Sequence, residues 1–370
     1  MLRDPYPFYA DLRRHAPVTH VNRPETWVVS RYEEVALVLR SPRLFSSTLM
    51  AGADPVLLGA DPPAHTRARR LVNAALSPER VAGLEPRIRA IGEHLASSLA
   101  AEAECDCMAR LAVPLPVRVV ASLLGIDESV SPARLKHWSD AFVLAGSGAA
   151  PPNLVPELRK TLGALHVFFA ELVNERKRHP GDDVVSELLA TVEGETLNEE
   201  DVVSVAKLFL IAGNETTTHL IGNALLVLLE NPPIREAVSS DPSLLPDLVE
   251  ETLRYDAPVQ FVQRRASETV ELAGARIPEG AVITALLASA NRDETRFPDP
   301  DRFDLSRKPQ GHLAFGVGPH ACLGASLARL EARIALEAVL PRLARARLVQ
   351  NELAWVGPPM RGVRALPVRF

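Results

Sequence analysis

The chain has 370 residues, 47% hydrophobic and 24% charged, with 20 glycines and 31 prolines. That composition excludes a disordered or collagen-like chain and leaves ample apolar side chain for a large core. With 41 basic against 46 acidic residues the net charge is −5, which gives no electrostatic hold on a phosphate backbone and argues against a nucleic-acid partner.

Three cysteines cannot build a disulfide framework, and Cys105 and Cys107 are too close for an ordinary mutual bridge, so a reducing, cytoplasmic setting is expected. Residues 1–17 contain no apolar run that could act as a signal peptide or anchor. The most apolar long segment, residues 202–229, is interrupted by Lys207, Glu215 and His219, which favours a buried helix over a membrane span.

Residues 18–30 carry β-branched and aromatic residues around Arg23-Pro24, predicting a small hairpin; residues 31–40 then turn helical before Ser41-Pro42. Residues 45–60 show no clear period. Asp61-Pro62 reads as an N-cap acid followed by proline at the first helical position. Helical patterns dominate from there to about residue 257, divided at Pro114/Pro116, residues 146–152, Pro180-Gly181 and Asn231-Pro232-Pro233. Residues 259–287 form a second β region, with turns at Gly274 and Pro278-Glu279-Gly280. Residues 291–318 make a loop too long for a routine connection, and a strong helix follows over residues 323–342. No flexible linker is evident. The reading is a mainly α fold, one large helical domain over residues 1–370 with a minor β portion.

The sharpest local signal is Phe315-Gly316-Val317-Gly318-Pro319-His320-Ala321-Cys322-Leu323-Gly324. The glycines let backbone approach a flat ligand closely, and the helix N-terminus behind them stabilises a thiolate, a good soft metal ligand. Leu323, Leu327, Leu330 and Ile334 form the helix face that would hold this loop against a core. Three other readings stand beside it. Cys322 could be a small buried hydrophobe. The glycines match a dinucleotide fingerprint, although no βαβ unit surrounds them and Pro319 sits inside the turn. Cys322 with His320 could be a nucleophile and its base.

A second signal lies in the proline-free run of residues 199–230, where Ala212-Gly213-Asn214-Glu215-Thr216-Thr217 interrupts an apolar helix. Glycine there costs about 1 kcal/mol, and a buried acid costs more unless paired. The segment reads as a widened turn admitting a small ligand, with Glu215 and Thr216 relaying protons, or as a helix contact with a satisfied polar pair. Glu251-Thr252-Leu253-Arg254 is an ordinary i, i+3 ion pair by itself. His65 and Arg69, four apart on one helical face, could bind an anion or form a solvated basic face.

Taken in order, these segments resemble the cytochrome P-450 family of haem-thiolate monooxygenases, from about Asp4 to the C-terminus. The resemblance implies haem b (iron protoporphyrin IX) as cofactor, held in the 315–324 loop with Phe315, Gly316 and Gly324 around it and Cys322 as the axial thiolate ligand. It implies an oxygen-binding groove over residues 212–217, with Ala212 and Gly213 against the cofactor and Glu215 and Thr216 as the catalytic pair. A structural ion network would join Glu251, Arg254 and Arg302. His65, Arg69, Arg264 and His320 would meet the haem propionates, with Arg265 competing for the place of Arg264 because one register slip exchanges their faces.

The implied activity inserts one oxygen atom from O2 into an apolar small molecule, by hydroxylation or epoxidation, in a bacterial secondary-metabolism setting. A haem-thiolate isomerase, dehydratase or peroxygenase, or a non-catalytic haem-binding protein, are the alternatives. The chain ends 48 residues after Cys322, so electrons are expected from a separate ferredoxin or flavoprotein, docking near Arg67, Arg70, Arg329 and Arg333. Only 15 residues separate Phe45 from Asp61, a short cover for a pocket walled by Phe209, Ala212 and residues 259–262 and 358–360.

Overall fold

Proline-free amphipathic segments make helix the dominant element. The computed structural model describes residues 3–23, 25–99, 103–146, 150–190, 192, 194–308, 310–350 and 352–370. In chain order its α-helices are α1 (Tyr6–His15), α2 (Tyr32–Arg40), α3 (Ala64–Ala75), α4 (Pro78–Gly83), α5 (Glu85–Leu99), α6 (Pro114–Leu123), α7 (Pro132–Gly146), α8 (Val155–Arg178), α9 (Val184–Leu189), α10 (Glu199–Glu230), α11 (Pro232–Ser240), α12 (Leu245–Tyr255), α13 (Leu287–Ala290) and α14 (Ala325–Leu343).

Helix α10 runs through the centre and has the bounds its sequence predicts. Asn198 caps it by accepting from Asp201 N–H, three acids occupy its first turn, and Pro232 ends it. It packs against α6, α7, α8, α12 and α14, so its apolar residues are buried on every side, as expected of a core helix. Among the described residues no helix is long and apolar enough to cross a membrane. Helix α14 lies behind the cysteine loop, with Leu327 and Ile334 buried and Leu323 and Leu330 packed on the same core.

The strands are β1 (Val18–Asn22), β2 (Glu25–Val29), β3 (Phe45–Ser46), β4 (Glu104–Asp106), β5 (Val262–Ala266), β6 (Val270–Leu272), β7 (Ala275–Ile277), β8 (Val282–Ala285), β9 (Arg347–Leu348) and β10 (Pro367–Arg369). A five-stranded sheet has the order β1-β2-β8-β5-β3 and covers a second, smaller core around Val29, Phe45 and Ile283. The β1–β2 hairpin closes where Arg23-Pro24 predicted a turn, although Pro24 lies outside the described residues. β6 and β7 pair across Ala273 and Gly274, at φ 48° and 81°, the left-handed turn that a two-residue hairpin needs. β4, which pairs β10 through Cys105 and Val368, was not anticipated; three residues are too few to show an alternation.

The predicted break at Pro114/Pro116 falls where α6 opens, proline being tolerated in a first turn. One expectation changes. Asp61 is not an N-cap: α3 starts at Ala64 with Pro63 at its cap. The Asp61 carboxylate turns back to accept from Ser46 Oγ at 2.5 Å and Ser47 N–H at 2.9 Å. The 146–152 break is only partly described, because residues 147–149 fall outside.

The short 45–61 segment is held from its own interior. Buried Asp54 accepts from the backbone N–H groups of Val56, Leu57 and Leu58 and from Ser204 Oγ on α10 at 3.1 Å. Gly59 passes so close to Ala51 that a Cβ would stand 2.2 Å from its nitrogen, so the loop closes this tightly only with glycine there.

Candidate active site

The cysteine loop is shaped by its own backbone. Cys322 N–H donates to Phe315 O at 2.8 Å, Gly316 N–H to Leu313 O at 2.9 Å, and Ala321 N–H to Gly318 O at 3.1 Å. Gly318 has φ 80°, and a Cβ there would meet Leu39 O at 2.7 Å; this glycine docks the loop on the end of α2. Cys322 opens onto a cleft of about 530 Å³ shared with Phe315, Gly316, His312 and Arg329. Burial pushes its thiol pKa up, while Gly324 N–H and the charges of Arg69 and Arg329 pull it back toward the thiolate.

Beside the loop four basic side chains converge. The His65 and His320 rings are 4.1 Å apart. Arg69 Nη2 donates to Ala321 O at 2.7 Å, which ties α3 to the residue next to Cys322. Arg264 is buried and donates to the carbonyl of Gln263. The β5–β8 register sets Arg264 opposite Ile283 and leaves Arg265 exposed, donating to Gly280 O. Burial and the neighbouring His65 and Arg264 push His320 down to about 4; burial and Arg69 push His65 down as well. Asp61 is the acid whose charge opposes both shifts.

Midway along α10, Ala212 is exposed and Gly213 and Thr216 are half-buried, within a helix otherwise buried on either side. Thr216 Oγ1 donates to Ala212 O at 2.7 Å. Glu215 does not share this opening. It is buried against α7, with Oε1 2.7 Å from Lys136 Nζ and Oε2 3.8 Å from His219 Nε2. Lys136 also bonds Asp140, one turn along α7. Burial works against the Lys136 charge, but Glu215 and Asp140 outweigh it and raise its pKa. Asn214, Thr218, His219 and Ser139 hold buried polar atoms with no protein partner, which water has to serve. Sequence reading missed Lys136, Asp140 and Ser139, which no local pattern on α7 marks, and noted His219 only as a break in the apolar run of α10.

Glu251 and Arg254 form a fully buried bidentate pair, both bonds 2.8 Å. Arg254 also donates to the carbonyls of Asn291, Pro300 and Arg302. The expected third member is corrected. The Arg302 side chain is 69% exposed and pairs with Asp304, so Arg302 contributes only its carbonyl oxygen. Arg307 supplies the second guanidinium, with Nε 3.1 Å from Glu251 Oε1. A 3-10 turn over Leu305–Arg307 carries it inward, and two arginines in one irregular loop give the sequence no way to choose between them.

The four arginines expected to form a basic docking face are each engaged with acids: Arg67 and Arg70 with Glu195, Arg329 with Glu250, and Arg333 with Glu85 and Glu337. Two of the expected wall segments meet: Val259 pairs with Met360, and Gln260 N–H donates to Pro359 O at 2.9 Å.

A family model for Cytochrome P450 matches residues 151–344. The cytochrome P450 monooxygenase PikC of Streptomyces venezuelae is 39% identical over 99% of this chain and 91% of its own length. The solved cytochrome P450 CYP109Q5 from Chondromyces apiculatus is 41% identical, with a TM-score of 0.90 over 100% of this chain and 95% of that one. CYP109E1 from Bacillus megaterium, solved with testosterone, is 36% identical, with a TM-score of 0.91 over 99% of each chain. The chain is a cytochrome P450.

As a cytochrome P450 it is a haem-thiolate monooxygenase that takes O2 and electrons from a redox partner. The residues present fit such a cofactor. Burial works against the Arg264 charge and lowers its pKa, and Asp61 opposes this only from a distance, since among the described residues no carboxylate makes an ion pair with Arg264. Arg264, Arg69 and two histidines, one of them with an orphaned buried Nδ1 at His65, meet beside Cys322. This donor set calls for an anionic group of more than one carboxylate, which haem carries.

Proposed function

We propose that Cys322 binds the iron of haem b through its thiolate and that His65, Arg69, Arg264 and His320 receive the two propionates. Bound haem supplies oxygen activation, with the electron push of a thiolate ligand favouring O–O cleavage. The observation that carries this reading is the convergence of four basic groups beside Cys322, tied to the cysteine loop by the bond from Arg69 to Ala321 O. Phe315, Gly316 and Gly324 shape the loop against the macrocycle face, and Ala212 and Gly213 leave room at α10 for a small ligand.

Thr216 serves as the alcohol at that opening, hydrogen-bonding to incoming oxygen or water once its hydroxyl leaves Ala212 O. Glu215 feeds it protons from the α7 side, where Lys136 and Asp140 connect it toward solvent. Water is otherwise excluded by the apolar walls at Phe209, residues 259–262 and residues 358–360, so the substrate is an apolar small molecule; a relative solved with testosterone supports that class. The electron donor is a separate ferredoxin or flavoprotein, and the chain works as one domain in the cytoplasm.

Reconstitution with haem and with haem dimethyl ester tests the anion cradle. Haem is expected to bind, and the ester, which cannot offer carboxylates, is expected to bind poorly. Equal retention of both would remove the propionate assignment.

A further inference from the structure

Glu250 and Glu251 are neighbours on α12 that serve two separate networks. Glu251 holds Arg254 and Arg307. Glu250 reaches the cleft that Cys322 lines. Its Oε1 accepts from Arg329 Nε at 2.5 Å, and its Oε2 accepts from Arg329 Nη2 at 2.9 Å and lies 3.1 Å from His312 Nε2.

His312 is fixed at both nitrogens. Its side chain is 4% exposed, and Ala314 N–H donates to Nδ1 at 3.3 Å. With Nδ1 accepting from Ala314, Nε2 is the nitrogen placed to donate to Glu250. The Arg329 guanidinium in turn lies 4.5 Å over the Phe315 ring, and the His312 ring is 6.0 Å from the same ring. Phe315 is the residue whose carbonyl accepts from Cys322 N–H.

Burial pushes the Glu250 carboxyl up, but the bonds from His312 and Arg329 outweigh it and hold the pKa at about 2. The Glu250–Arg329 pair is therefore ionised at neutral pH. Arg329 lines the same cleft as Cys322.

We propose that the Glu250–Arg329 pair sets the electrostatic potential at Cys322, and through it the reduction potential of the bound haem, with His312 as the positioning residue that aims Glu250. Arg329 alone would place an uncompensated positive charge beside the thiolate ligand and stabilise the more electron-rich, reduced state. Glu250, bidentate on the same guanidinium, cancels most of that charge. The two side chains thus pull the potential in opposite directions, and their pairing fixes the balance.

The test is equilibrium potentiometry with small mediators on the haem-loaded protein, which avoids any effect on donor docking. Glu250→Gln is expected to shift the midpoint positive, Arg329→Gln to shift it negative, and the double variant to return toward wild type, all with a thiolate-type reduced carbon monoxide band. His312→Ala is expected to shift the midpoint in the direction of Glu250→Gln, and His312→Gln, which can donate the same bond, to stay nearer wild type. Arg329 is partly exposed, so the sign of Arg329→Gln decides the matter even if Glu250→Gln fails to retain haem. Unchanged midpoints, or shifts of the same sign in both single variants, would overturn the proposal.

Discussion

Lys136 Nζ lies 2.7 Å from Glu215 Oε1, a contact that holds the acid of α10 toward α7, about 100° around the helix from Thr216, the next residue. The acid is turned to α7 and its polar neighbours, while the alcohol stays at the opening beside Ala212. Under the proposed relay, a proton delivered to the opening would come from the α7 side, where Asn214, Thr218 and His219 hold buried polar atoms without a protein partner.

Glu215→Gln should slow turnover by roughly 10²–10⁴-fold, the range for a positioned proton donor. Lys136→Met should act in the same direction by leaving Glu215 buried without its cation. Steady-state kcat with saturating electron donor checks both. Wild-type kcat in Glu215→Gln would mean that the acid only braces α7.

Thr216→Ala should leave substrate binding nearly unchanged and divert electrons into peroxide, because its hydroxyl stands at the opening and not in the pocket wall. The quantity to record is product formed per electron supplied. Wild-type coupling would transfer the role to water or to a substrate hydroxyl.

The Glu251 network yields a comparison between two arginines of one loop. Removing one partner of a buried pair costs about 3–5 kcal/mol, so Glu251→Gln and Arg254→Leu should give poor haem incorporation. Arg307→Ala should weaken it as well, whereas Arg302→Ala should match wild type because only its backbone carbonyl takes part. Haem content per folded chain is the readout, and equal loss in Arg302→Ala and Arg307→Ala would reverse the correction.

His219 predicts an acid limb of stability in the haem-free protein. Burial, followed by the charges of Lys136 and Arg364, pushes its pKa from 6.5 down to about 4, against the opposing pull of Asp140. The unfolded chain then binds a proton that the folded chain refuses. The stabilisation is full above pH 6.5 and is lost as the pH falls through 6.5 toward 4, by about 1.4 kcal/mol per pH unit for one such group. His219→Gln should flatten that slope in denaturant melts taken across the window; an unchanged slope would place the proton uptake elsewhere.

Much of this arrangement was legible because single residues carried strong local chemistry. The break at Asn231-Pro232-Pro233 bounded the end of α10, and the glycines before Cys322 marked a loop that Gly318 must dock on Leu39. What the sequence hid was long-range. Lys136 and Asp140 sit some 75 residues from Glu215 on a helix of ordinary pattern, and only packing brings them together. Arg264 and Arg265 are equivalent until the β5–β8 register buries one and exposes the other. Asp61 looked like a cap because capping is local, yet Ser46 and Ser47 from the preceding loop take its carboxylate.

The measurement that bears most directly on the whole account is the spectrum of the reduced carbon monoxide complex of the wild-type protein and of Cys322→His. The wild type should give the thiolate-type band, and Cys322→His should lose it while keeping haem bound through the basic cradle of His65, Arg69, Arg264 and His320. A thiolate-type band that survives Cys322→His would contradict the account, since Cys105 and Cys107 are buried in the core beside β10 and Cys322 would then not be the ligand.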